Sequence, residues 1–168
     1  EFELGQNTGG CEVSIYGCQD NQALNYNESA TINDESCVYL EEFYVSGEGN
    51  PREYIFYKPP NALSDAPLVF VSHGYSGSAE EIMNYSGFIE LADINGFALC
   101  FPQGQLDGGD MYFNVGYNVT PNNATNEVQF FTELASYLQE TYNLSSEHTF
   151  STGTVSYTHL TLPTMLMV

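Results

Sequence analysis

Residues 68–82 read LVFVSHGYSGSAEEI, and this stretch decides the fold. Leu68–Ser72 is a short, mostly apolar run of the kind that forms a strand covered on both faces. It ends abruptly in His73-Gly74. Ser78 with Glu81 three positions on is a capping box, the signature of a helix start. Ile82, Met83, Tyr85, Phe88, Ile89 and Ala92 then recur at helical spacing, and Gly96 stands where such a helix stops. The stretch therefore predicts a buried strand, a tight glycine-containing loop and one helix running to residue 95.

The same alternation continues on both sides. FALCF (97–101), closed by Pro102, reads as a second buried strand. Residues 103–125 read as a long loop. Val128, Phe131, Leu134, Ala135, Leu138 and Tyr142 mark a second helix, and HTFST (148–152) is a third buried strand running into Gly153. Upstream, YLEEFYVSG and REYIFYKPP flank GEGNP and predict a hairpin. Strands alternating with helices point to an α/β fold with a parallel sheet.

Of the 168 residues, 42% are apolar, with 13 Tyr and 11 Phe, which predicts a packed globular body. Twenty-two acidic residues oppose only Arg52 and Lys58, for a net charge of −20. That balance excludes nucleic acid and anionic membrane surfaces as partners, because both need Lys and Arg. No run approaches the ~18 apolar residues of a membrane span. The first residues, EFELGQNTGG, carry neither a basic nor an apolar leader segment and open on Glu1, so an export signal is expected upstream of them.

Three of the four cysteines, Cys11, Cys18 and Cys37, crowd the start of the chain, whereas Cys100 sits in an apolar run as a buried small hydrophobe. Clustered cysteines in an Asn/Asp/Ser-rich segment point to disulfides and an oxidising compartment, and their spacing does not match zinc. Asp20, Asn25, Asn27, Asn33, Asp34 and Glu35 form a candidate set of oxygen ligands for structural calcium, though not at EF-hand spacing. The competing reading is a polar, disulfide-stapled linker. Composition divides the chain into a Cys/Asn/Asp-rich module (1–38), an α/β domain (39–153) and a tail (154–168) without a single charged residue.

Three places can carry chemistry. A strand ending in His73-Gly74 is where an acyl-transfer enzyme of this architecture takes one backbone oxyanion donor. The candidate is the N–H of Tyr75, with Ser76 second. His73 reads as a loop-shaping hydrogen-bonding residue, and Gly74 as the residue that lets the backbone turn. HTFSTG begins like a nucleophile elbow, G-x-S-x-G, with Gly153 as its first glycine. The serine and second glycine are then due at 155 and 157, where Val155 and Tyr157 stand, while Ser156 is one residue late. The loop 107–118, DGGDMYFNVGYN, offers Tyr112, Phe113 and Asn114 to a substrate crevice, or else packs as a surface loop.

REYIFYKPP, APLVFVSHGYSGSA, ELADINGFALCFPQG, FNVGY, NEVQFFTELASYLQETYNL and HTFSTG, in this order, resemble the front half of secreted α/β-hydrolase esterases. The branch is that of polyhydroxybutyrate depolymerases and feruloyl esterases. Residues 11–39 resemble short Cys-containing repeats of surface proteins from marine Bacteroidetes-type bacteria. That resemblance implies a Cys18–Cys37 disulfide and leaves Cys11 to a preceding repeat. VSYTHLTLPT resembles translated sequencing-adaptor DNA, which makes the tail non-native. Together the resemblances imply the N-terminal part of an α/β-hydrolase sheet, truncated after the elbow strand, with a small disulfide-bearing module before it. The implied activity is a secreted, monomeric serine carboxylesterase acting on ester-bearing polymers or small esters, without a catalytic cofactor. The chain itself is expected to be inactive for want of a serine at 155. The readings from other classes are a calcium-binding or adhesive surface module, and an α/β domain that keeps only a binding crevice.

Overall fold

A computed structural model describes residues 13–107, 109–114 and 126–154. The chain divides into two units, Glu1–Cys37 and Val38–Val168.

In the first unit, β1 (Tyr16–Gly17) pairs in parallel with β2 (Ile32–Asn33). A disulfide joins Cys18 to Cys37. The abundance of Asn and Asp has a local cause. Side-chain oxygens of Asp20, Asn27, Asn33 and Asp34 accept the backbone N–H two residues on, from Gln22, Ser29, Glu35 and Ser36 respectively. These Asx turns supply hydrogen bonds that a segment with little regular structure cannot supply from its own backbone. Asn25 donates from its amide nitrogen to the carbonyl of Ser36 at 2.6 Å. Among the described residues no group of three or more His, Cys, Asp or Glu side chains is arranged to hold a metal ion. Cys11 lies outside the described residues.

The second unit is built on a mixed sheet ordered β3-β4-β6-β5-β9. Its strands are β3 (Leu40–Phe43), β4 (Arg52–Tyr57), β5 (Ala66–Ser72), β6 (Ala98–Pro102) and β9 (Leu144–Gly153). The β3–β4 hairpin forms as the sequence implied, and β4 runs antiparallel to β6. The central β5 is flanked by β6 and β9, both parallel to it. Every residue of β6 is buried, as a strand sandwiched between two layers must be. Phe70, Leu68 and Cys100 meet Phe130, Phe131, Leu134 and Leu138 of the helix α3 (Glu127–Tyr142) in one core. Sealing an aromatic such as Phe130 away from water contributes on the order of 1.5–3 kcal/mol.

The sequence reading needs four corrections here. The helix after β5 is two, α1 (Ala79–Tyr85) and α2 (Phe88–Asn95), split at Gly87, whose φ of 72° is left-handed. Tyr85, placed on the inner face by periodicity, is exposed as a result. Val128 is also exposed, because the buried face of α3 is set by Glu127, Phe130, Phe131, Leu134 and Leu138. The loop after β6 contains a hairpin, β7 (Gln105–Asp107) with β8 (Asp110–Tyr112). Finally, β9 is longer than HTFST and is not buried along its length. It borders the described sheet, and Phe150 on it is 55% exposed.

Candidate active site

The sheet's connectivity locates the site. From β5 the chain crosses to β6 on one side and later returns to β9 on the other. Ligands of open α/β sheets bind outside the carboxyl ends of the strands at such a switch of direction. That point lies between the loop after β5, which is His73 to Gly77, and the end of β9 at Gly153.

The two ends touch. Ser72 is in register with Gly153, and the N–H of Thr154 donates to the Ser72 carbonyl at 3.3 Å. Gly153 has no room for a side chain, since a Cβ there would lie 2.9 Å from the Ser72 carbonyl oxygen. A Cβ on Gly74 would come within 2.6 Å of the Thr154 hydroxyl oxygen, so Thr154 would have to turn its side chain. Gly74 has no positive φ, so the nearness of Thr154, and not the direction of the turn, is what a side chain there would disturb. The left-handed residue of the loop is Ser76, at φ 59°.

His73 anchors the loop from inside. It is 1% exposed. Its Nε2 accepts the backbone N–H of Gly104 at 2.9 Å, so the proton sits on Nδ1, which donates to the Gly74 carbonyl at 2.6 Å. Burial holds the ring below its ordinary pKa, and the Gly74 hydrogen bond opposes that shift only in part. A neutral histidine with both nitrogens engaged is a clamp. Gln103, absent from the sequence reading, extends it. Its amide nitrogen reaches His73 Nε2 at 3.1 Å, and its oxygen accepts the N–H of Ala79 at the start of α1. The capping box on α1 is fully formed between Ser78 and Glu81.

The outer side of the loop meets the β7–β8 hairpin. Tyr75 and Ser76 donate their hydroxyls to the two oxygens of Asp110, each at 2.5 Å. The N–H of Ser76 donates to the Met111 carbonyl at 2.8 Å. This engages the second-choice oxyanion donor. Tyr112 lies against Tyr75, with ring centroids 6.1 Å apart. Phe113 must be moved from the crevice to the core. It is 1% exposed, with its ring 4.9 Å from His73 and 5.8 Å from Phe131.

Asn114 is fixed by a buried ion pair that the sequence did not announce. Its N–H donates to one oxygen of Glu127 at 3.0 Å, while the other oxygen accepts from Arg52 at 2.7 Å. The Arg52 guanidinium also lies 4.1 Å from the centre of the Phe130 ring. Val155, Ser156 and Tyr157, the positions that decide the elbow, lie outside the described residues.

The structure superposes on solved structures. The acetyl xylan esterase of Aspergillus awamori superposes with a TM-score of 0.55 at 20% identity, over 68% of this chain and 42% of that one. This is an α/β-hydrolase fold. The S-formylglutathione hydrolase of Agrobacterium tumefaciens superposes likewise, with a TM-score of 0.53 at 14% identity, over 70% of this chain and 47% of that one. By sequence, the chain is 26% identical to acetylxylan esterase A of Aspergillus oryzae over 107 residues, 64% of this chain and 34% of that protein. It is 38% identical to the putative esterase NocK of Nocardia uniformis over 63 residues, 36% of this chain and 18% of that protein. The chain thus spans about a third or less of the length of these curated relatives. No family model matches it. No helix among the described residues is long and apolar enough to cross a membrane.

Proposed function

We propose that this chain is the front part of a secreted serine carboxylesterase acting on polysaccharide-linked esters, the acetyl or feruloyl esters of xylan, with polyhydroxyalkanoate polyester as the other polymer of the same chemistry. The observation that carries the reading is the apposition of the His73–Tyr75 loop to Gly153–Thr154, at the carboxyl ends of adjacent parallel strands. An acyl-transfer site needs a backbone donor aimed at the carbonyl oxygen as it gains charge, beside a nucleophile raised on a tight turn. Tyr75 follows β5 at the first of these places, and β9 ends in Gly153 at the second. The similarity to acetylxylan esterases favours the acetyl ester, and the Cys18–Cys37 disulfide of the first unit favours an oxidising, extracellular setting.

In this chain the elbow is unarmed, because Val155 stands where the serine is due. No hydrolysis of p-nitrophenyl acetate or butyrate is expected above buffer. Turnover that Ser156→Ala abolishes would overturn the inactive reading. The esterase reading itself is tested in the source DNA read across codon 153. A G-x-S-x-G continuation supports it, and a genuine continuation without one refutes it.

A further inference from the structure

The loop that carries Tyr75 is closed by one backbone hydrogen bond of its own, from the Gly77 N–H to the Gly74 carbonyl at 3.1 Å. Ser76 occupies a left-handed conformation that residues with a side chain adopt rarely and at a cost. Contacts from outside the loop add to that one bond. His73 fixes only the inner end, at Gly74 and Gly104. At the tip, four interactions come from one short hairpin. Asp110 receives the Tyr75 hydroxyl on one oxygen and the Ser76 hydroxyl on the other, Met111 receives the Ser76 N–H, and Tyr112 lies against the Tyr75 ring. The hairpin is in turn seated on the clamp. A Cβ on Gly104 would meet the Tyr112 backbone at 2.8 Å, and the Gly104 N–H is the one that His73 accepts.

We propose that Asp110 is a positioning residue, a latch that accepts both hydroxyls of the Tyr75-Ser76 pair and thereby fixes the direction of the backbone donor between them and Gly74. Asp110 touches no reacting atom. It acts by holding Tyr75 in place, which fixes the φ of Tyr75, one of the two torsions flanking the Gly74–Tyr75 peptide that set where the Tyr75 N–H points. A carboxylate suits the task because its two oxygens accept two hydroxyls at once, and charge-assisted hydrogen bonds are the stronger kind. For its catalytic meaning the proposal rests on the esterase reading above. The latch itself does not, and it is measured without turnover.

The test is amide hydrogen exchange and tyrosine Cζ NMR on the full chain. In Asp110→Ala the Ser76 amide should exchange about tenfold faster or more, the loss expected when two hydrogen bonds of ordinary strength are removed. The Tyr75 Cζ resonance should shift, while the β6 amides keep their protection. Asp110→Asn retains one acceptor oxygen and should restore part of both signals, a rescue that a role in hairpin folding alone would not give. Tyr75→Phe combined with Ser76→Ala removes the same hydroxyls without touching the hairpin and should match Asp110→Ala, which keeps the test open if Asp110→Ala fails to fold. Unchanged exchange of the residue-76 amide in either background, or an Asn variant no better than Ala, overturns the latch. Neither outcome bears on the ester-hydrolysis reading, which the continuation past codon 153 decides.

Discussion

Replacing Glu127 with glutamine leaves Arg52 charged and sealed beneath Phe130 with its nearest carboxylate gone. The pair is closed at 2.7 Å, with side chains 1% and 4% exposed, so water cannot take over from the lost charge. Glu48 is the other carboxylate near the guanidinium, but at 4.0 Å it offers attraction without a hydrogen bond. With its amide oxygen on the Asn114 N–H, the new side chain turns its amide nitrogen, a donor, toward the Arg52 guanidinium. Removing one partner of a buried pair costs about 3–5 kcal/mol. With Glu48 close by, a loss of about 3 kcal/mol is expected, a large share of the ~5–15 kcal/mol that holds a domain together. Replacing both partners with apolar residues, Arg52→Met with Glu127→Leu, should cost less than Glu127→Gln alone, because no stranded charge remains. Urea melts followed by circular dichroism across the double-mutant cycle read both quantities. A Glu127→Gln variant within about 1 kcal/mol of the parent, or a double variant costing the sum of its singles, would refute the reasoning.

Other outcomes follow from the same geometry. Gly104→Ala should destabilise the domain by about 1–3 kcal/mol, because the added methyl meets backbone that cannot turn aside, and a melt unchanged by it would contradict that packing. His73 gives a pH dependence. Its folded pKa is depressed by burial below the ordinary 6.5, so the folded state holds its proton less tightly than the unfolded chain. The stability it contributes is complete above pH 6.5 and is lost as the pH falls from there through the folded value. The urea midpoint should therefore drop between pH 7.5 and 5.5, and His73→Gln should flatten that slope. Reducing the Cys18–Cys37 disulfide should remove about 3 kcal/mol from the first unit, read as lost amide protection at residues 15–36. Added calcium should leave that protection unchanged, since four of the candidate ligands are already serving turns.

Much of the scaffold was legible because it is written in local rules. The capping box at Ser78 and Glu81 and the unbroken apolar runs of β5 and β6 each depend on neighbours within a few residues. The break at Gly87 was harder to read, since the apolar periodicity continues across it while the backbone does not. Periodicity also misplaced Val128, because the face of α3 is decided by where Glu127 meets Arg52, a partner 75 residues away in sequence. Phe113 was misread for a related reason. An aromatic residue in a glycine-rich loop looks like a binding group until the loop is folded back over His73. The latch on Asp110 was invisible for want of any local signal, because Tyr75, Ser76 and Asp110 come together only through the hairpin that the sequence presented as a loop.

The burial of Arg52 has a practical consequence for handling this protein. Trypsin cuts after lysine and arginine, and the chain contains one of each. Lys58 is followed by Pro59, which blocks cleavage there. The bond after Arg52 lies inside β4, with the side chain the protease must grip locked under Phe130. A folded molecule therefore presents no usable tryptic bond among its described residues, and a molecule whose β4 has opened presents one. A single clip yielding pieces 1–52 and 53–168 counts opening events at that strand, with no engineered label.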